Sequence, residues 1–251
     1  MTFYSKVGHF VQPPTSGNHS VTGVGFQPKA LILFGIGATS TGWSAQFDHG
    51  IGFTTATESY SISAASKANV SPTQTCALSQ ATCYSIVWGN TTYAACTLTS
   101  FDSDGFTLNW TTYSVNQLVG YLALGGDELT NAKIVAWKPS AGTGNKSVTG
   151  VGFKPDCVIH LNTADGAAAP HTAAGLNYDI GAMDTTGGQW AIQNYSANNV
   201  AGSTPNRTYK SQEGGICLLG GNAQATFTSM DTDGFTVNFG ANTPYYYYSL
   251  C

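Results

Sequence analysis

Two short runs bring together the side chains in this sequence most suggestive of chemistry: Asp102-Ser103-Asp104-Gly105 and Asp231-Thr232-Asp233-Gly234. Carboxylates at alternating positions ahead of a glycine are hard oxygen donors of the kind that hold calcium. Neither run has the later carboxylate that completes an EF-hand loop, and Phe106 or Phe235 follows directly. The same residue types also make a tight hairpin, because Asp side chains accept hydrogen bonds from nearby backbone N–H groups and glycine takes positive φ. Asp102, Asp104, Gly105, Asp231, Asp233 and Gly234 are therefore read as structural turns, with calcium as the alternative, and no metal site is assigned.

Other reactive groups do not gather into a known pattern. The sequence contains no HExxH, no Gly-x-Ser-x-Gly and no Gly-x-x-x-x-Gly-Lys-Ser/Thr. Asp48 and His49 are adjacent, but neighbours on a strand point to opposite faces and cannot act together as acid and base. Asp48, Glu58, Glu128, Asp165, Asp179, Asp184 and Glu213 form no pair visible in the sequence, as a glycosidase would need. Neither a catalytic nor a cofactor-binding residue is assigned. The six cysteines match no zinc spacing and read as small buried apolar residues, with a Cys76–Cys83 bridge as the one disulfide to check. Trp43, Trp88, Trp190 and the run Tyr245, Tyr246, Tyr247 and Tyr248 supply flat rings among Asn, Gln and Thr. Such rings stack on apolar sugar faces or fill protein interfaces.

Composition narrows the partners. Charged residues make up 9% of the 251 residues, against roughly 25% in an average soluble domain. The surface must then be made largely of hydroxyls and amides. With nine Lys and Arg and a net charge of −4, the chain lacks the basic clusters that bind duplex nucleic acid or anionic membranes. The start MTFYSKVGHF does not read as a secretory signal, and no apolar run reaches the roughly 20 residues of a membrane span. Synthesis in a cytoplasm is expected.

The elements that must position these residues are strands, and they occur twice. SVTGVGF stands at residues 20–26 and again at 147–153, while FDSDGFTLNW at 101–110 is matched by MDTDGFTVNF at 230–239. The openings KVGHFVQPP and KIVAWKPS also line up, whereas none of the five histidines falls on another. Such a spacing is one whole small domain. Thirty glycines and nine prolines separate runs rich in Val, Ile, Leu, Phe, Tyr and Trp, and helix is hardly visible. In the first half, strands are predicted at 5–11, 19–24, 30–37, 45–54, 60–65, 83–88, 93–101, 106–112 and 118–124. Phe106, Leu108 and Trp110 share one face opposite Thr107 and Asn109, whereas 30–34 is apolar on both faces and should be buried on both. The predicted fold is all-β: two tandem antiparallel, jelly-roll-like β-sandwich domains from an internal duplication, residues 1–127 and 128–251.

The blocks GVGFQPKALILFG, FDSDGFTLNW and VGYLALGG resemble a recurring β-domain of uncharacterised proteins from tailed bacteriophages and prophages. The likeness covers both halves, is best at their beginnings and ends, and fades between about 37 and 80. The second half departs from it by closing on TPYYYYSLC and by carrying Phe239 where the first half has Trp110. The resemblance implies a virion structural protein that is not an enzyme. Among places in a particle, a capsid decoration (cement) protein fits a chain without coiled-coil heptads or a collagen-like stalk. The expected partners are other virion proteins, above all the major capsid protein, and further copies of the chain in a symmetric oligomer such as a trimer. Trp43, Trp190 and Tyr245 to Tyr248 are the expected interface residues. The competing expectation is a receptor- or glycan-binding module of a tail or head fibre.

Overall fold

The computed structural model describes residues 1–39, 47–67, 70–89, 91–113, 116–163, 167–201, 207–212, 214–217, 224–241 and 245–251. Among them there is no helix. The first strands are β1 (Phe3–Val11), β2 (Gly17–Thr22), β3 (Pro28–Gly35), β4 (Phe47–Thr55), β5 (Ser59–Ser66), β6 (Thr75–Gln80), β7 (Tyr84–Trp88), β8 (Thr91–Asp102), β9 (Gly105–Thr112) and β10 (Leu118–Gly126). They are followed by β11 (Ile134–Trp137), β12 (Gly144–Val148), β13 (Cys157–Asn162), β14 (His171–Ala174), β15 (Leu176–Asp184) and β16 (Gln189–Ser196). The last are β17 (Arg207–Gln212), β18 (Ile216–Cys217), β19 (Gln224–Asp231), β20 (Gly234–Phe239) and β21 (Tyr247–Leu250).

These strands form four antiparallel sheets. A first central sheet has the order β1-β10-β3-β4-β5-β6-β14, and a second has the order β11-β21-β13-β15-β16-β17. Two flanking sheets, β2-β9-β8-β7 and β12-β20-β19-β18, complete the fold. Apart from β14, the orders of the two halves correspond strand for strand. β14 comes from the later half of the chain but pairs with β6, His171 opposite Ser79 and Ala174 opposite Cys76, so it closes an edge of the first central sheet.

Three cores fix the order of the layers. Phe10, Leu31, Leu33, Tyr84, Phe106, Leu108 and Trp110 join the first flanking sheet to the first central sheet. Val148, Val158, Met183, Phe235, Val237, Phe239 and Tyr247 do the same for the second pair. Between the two central sheets lies a third core, in which Ala30, Ile32, Phe53 and Ile62 meet Ile134, Leu161, Tyr178, Tyr248 and Leu250. β3 therefore packs on both faces, Leu31 and Leu33 one way and Ala30 and Ile32 the other, as its unbroken apolar run predicts. Burying side chains of this size contributes about 1.5–3 kcal/mol each.

The sequence reading finds the other strands of the first half but omits β6. Its residues, TCALSQ, are small and show no alternation because the strand is buried on both faces.

Candidate functional site

The two Asp-x-Asp-Gly turns are clamps between strands. Asp102 Oδ1 accepts from Ser100 Oγ at 2.7 Å and its Oδ2 from Thr107 Oγ1 at 2.7 Å, while Asp104 takes the N–H of Gly23 at 3.1 Å and of Gly25 at 2.6 Å. The second half repeats this bond for bond. Asp231 accepts from Ser229 and Thr236, both at 2.7 Å, and Asp233 takes Gly150 N–H at 3.0 Å and Gly152 N–H at 2.6 Å. The hydroxyls of Ser100 and Thr107 hold the Asp102 carboxyl below the usual carboxylate range, and those of Thr236 and Ser229 do so for Asp231. The N–H groups of Gly150 and Gly152 have the same effect on Asp233. Asp102 and Asp231 thus brace their own hairpins, while Asp104 and Asp233 tie those hairpins to the Gly-Val-Gly bends that follow β2 and β12. Gly105 and Gly234 sit at φ of 154° and 139°, and a Cβ there would lie 1.9 Å from Val21 O and 2.0 Å from Val148 O. Only glycine fits such a turn.

Other candidate groups are dispersed. Asp48 accepts Gly37 N–H at 2.9 Å, and burial pushes its carboxyl up. His49 points the other way and stacks on Tyr178 at 5.0 Å, beside Phe47, where burial pushes its imidazole down to about 4. Glu58 pairs with Lys133 at 3.4 Å, and Asp184 caps its own turn through Thr186 N–H at 2.8 Å and Gly188 N–H at 3.1 Å. Asp165 and Glu213 lie outside the described residues. Among the described residues, no group of three or more His, Cys, Asp or Glu is placed to hold a metal ion.

The Cys76–Cys83 bridge does not form, and both thiols are free. Cys76 packs with Ala65, Leu78 and Val87, whereas Cys83 belongs to the core with Tyr84 and Cys96 and lies 3.4 Å from Ser59 Oγ. The two side chains occupy different cores. Cys96 is also buried, while Cys157 is exposed.

The aromatic candidates part company. Tyr247 and Tyr248 put their rings on opposite faces of β21, but both rings are committed inside the chain. Tyr247 stacks on Trp137 at 4.7 Å and Tyr248 on Tyr60 at 4.7 Å, leaving no surface for a partner. Tyr245 and Tyr246 are half-buried, and Lys138 Nζ lies over the Tyr246 ring. Trp43 lies outside the described residues. Trp190 is 57% exposed and shares a face of β16 with exposed Ile192. By register the two lie beside Ala182 and Ile180 of β15, and two residues further along β15 Tyr178 stacks on Phe47. Trp190 and Ile192 thus form a short exposed apolar strip at the rim of the central seam, separated from exposed Phe47 by the buried ring of Tyr178. A cavity of about 390 Å³ opens elsewhere on the seam, walled by Leu124, Phe153, Ile159 and Leu250 with the thiols of Cys157 and Cys251. A more polar cleft of about 290 Å³ lies beside Trp88, Lys67, Gln74 and Asn198.

Sequence reasoning singled out Trp190 but missed Ile192, whose place at the rim depends on strands that meet only in the folded chain. The structure defines an all-β protein of four antiparallel sheets whose repeated polar groups are turn clamps. Neither protein-family models nor the sequences of curated proteins give a match to the chain.

Proposed function

We propose that this protein is a non-enzymatic structural component of a bacteriophage virion, a capsid decoration protein that bridges neighbouring shell subunits. In this reading the chain arose by internal duplication of one jelly-roll-like β-sandwich, residues 1–127 and 128–251. The observation that carries the reading is what the two halves have in common. Matching strand orders, the Asp104 and Asp233 clamps and the Phe106 and Phe235 cores recur, whereas no histidine or potential catalytic carboxylate does. Repetition kept a scaffold. Low surface charge and the Trp190 strip suit a lasting contact, in which stabilisation grows with each apolar and hydrogen-bonded surface buried. The expected partner is the major capsid protein, together with further copies of the chain.

Particles of the encoding phage that lack the protein should release DNA at lower temperature or milder osmotic shock, and density for the four sheets should appear on the shell in electron cryomicroscopy. Equally robust particles that no longer adsorb to cells would overturn the decoration role. The exposed ring of Trp190 favours a second reading, a glycan-binding module of a tail or head fibre. Saturable binding on a glycan array, abolished by Trp190→Ala, would establish it.

A further inference from the structure

The longest unpaired edge among the described strands is β1, and its sequence is complementary to itself. It pairs with β10 along all nine residues without a bulge, and no described strand pairs with its other side. Gln12 N–H donates to Gln117 O at 2.8 Å in the same register. Because hydrogen-bonded pairs alternate along an antiparallel ladder, the even-numbered residues of β1 bond toward β10. Phe3, Ser5, Val7, His9 and Val11 then present their N–H and C=O groups outward. The usual protections of an edge are missing, since β1 contains no proline and only one charge, Lys6. On the face that these odd residues share, Phe3, Val7 and Val11 are 51%, 68% and 49% exposed. The other described edge strands run to six residues at most, and β7, with five, also carries a bulge.

We infer that β1 pairs with β1 of a second copy, antiparallel about a two-fold axis at Val7, joining two first central sheets into one continuous sheet. This register sets Phe3 against Val11, Tyr4 against Phe10, Ser5 against His9 and Lys6 against Gly8, so that Val7 meets itself. On the exposed face Phe3 meets Val11 and Val7 meets itself, and every outward backbone group finds a partner of the same parity. Moving the axis to Lys6 would oppose two ammonium groups, and moving it to Gly8 would shorten the overlap. A two-fold contact of this kind is closed and isologous. It does not depend on where in a particle the protein sits.

Sedimentation velocity of the full chain across a wide concentration range tests the pairing. The wild type should dimerise, and Val7→Lys should raise the dissociation constant by at least about tenfold by opposing two charges at the axis. At concentrations where the wild type is monomeric, the melting temperature of that variant should match it, because Val7 is exposed. A second variant covers the chance that Val7→Lys misfolds. A short bismaleimide should join two Val7→Cys chains far more readily than two Ser5→Cys chains, whose added thiols lie four residues apart along the strand, roughly 13 Å. Wild type serves as the background for exposed Cys157. A wild type that stays monomeric, a folded Val7→Lys chain that dimerises normally, or equal cross-linking from positions 5 and 7 would each overturn the proposal.

Discussion

Strands β1 and β11 start from the same stretch of repeated sequence and reach opposite states. Lys6 answers to Lys133, Val7 to Ile134, Gly8 to Val135, Phe10 to Trp137 and Val11 to Lys138. Yet Val7 is 68% exposed while Ile134 is 2% exposed, sealed in the core between the central sheets with Tyr248 and Leu250. β11 is also shorter, with four residues, and Lys138 and Pro139 follow where β1 continues through Val11. The local pattern prescribes a strand in both places and cannot prescribe its neighbour. The first central sheet covers β11, whereas the second stops short of β1, so two similar halves pack without giving similar positions similar surroundings. An edge blunted by lysine and proline stands opposite one left open.

The sharpest way to break this comparison is to place one charge at both positions. Ile134→Lys buries an ammonium group among Ile32-type packing and removes a filled core position, and it should destabilise the fold by at least about 3 kcal/mol. Val7→Lys should move the stability of the protomer by no more than about 0.5 kcal/mol. Urea unfolding of both variants, at concentrations where the wild type is monomeric, reads the difference directly. Equal losses would mean that the two edges are equally buried and that the offset between the central sheets is wrong.

How much of this was legible beforehand differs from residue to residue. Phe106, Leu108 and Trp110 alternate cleanly against Thr107 and Asn109, so β9 and its counterpart β20 could be read from period alone. The turn role of Asp104 and Gly105 followed from residue type, although its partners, Gly23 and Gly25, are some eighty positions away and could not. Tyr247 and Tyr248 were legible as a strand with rings on both faces. That both faces are internal was not, because it depends on a second central sheet lying across the first. The same blindness hid the open edge of β1 and the pairing of β14 with β6. Local alternation records that a side chain is buried and leaves out what buries it.

A second contrast lies where β13 and β3 correspond, at His160 and Leu33. Leu33 sits in an apolar core, whereas His160 Nδ1 lies 2.8 Å from Ser249 Oγ, which also accepts Trp137 Nε1–H at 2.8 Å. Burial pushes the His160 imidazole down to about 3. The folded state therefore keeps this ring neutral while the unfolded chain binds a proton below about 6.5, so the stability it carries is complete above that pH and falls as pH drops through the window toward 3. Between pH 6.5 and 5 the loss should come to about 2 kcal/mol, at roughly 1.4 kcal/mol per pH unit. His49, lowered to about 4 by burial, adds to the same acid limb. His160→Leu, which copies the first half, should reduce the slope of stability against pH by about half between 6.5 and 4. An unchanged slope in denaturant titrations at several pH values would show that His160 is protonated, or solvated, in the native state.

The finest contrast is an exchange of volume between two paired strands. In the first half Gly8 faces Tyr121, and in the second Val135 faces Ser249. A Cβ on Gly8 would stand 2.4 Å from Tyr121 Oη and 2.5 Å from Cζ, so the tyrosine ring occupies the space that Val135 fills above a serine. Each half fills the same site from the opposite strand. Gly8→Val should then cost about 1–3 kcal/mol by forcing the ring off its rotamer, and Tyr121→Ser should cost a similar amount by emptying the core beside Phe106. Together they recreate the arrangement of the second half, and the double variant should be more stable than the sum of the two losses by roughly 1 kcal/mol. A double-mutant cycle in urea measures this coupling. Strict additivity would show that the tyrosine ring is not held across Gly8, and that the two halves fill their cores independently of the strand pairing they have in common.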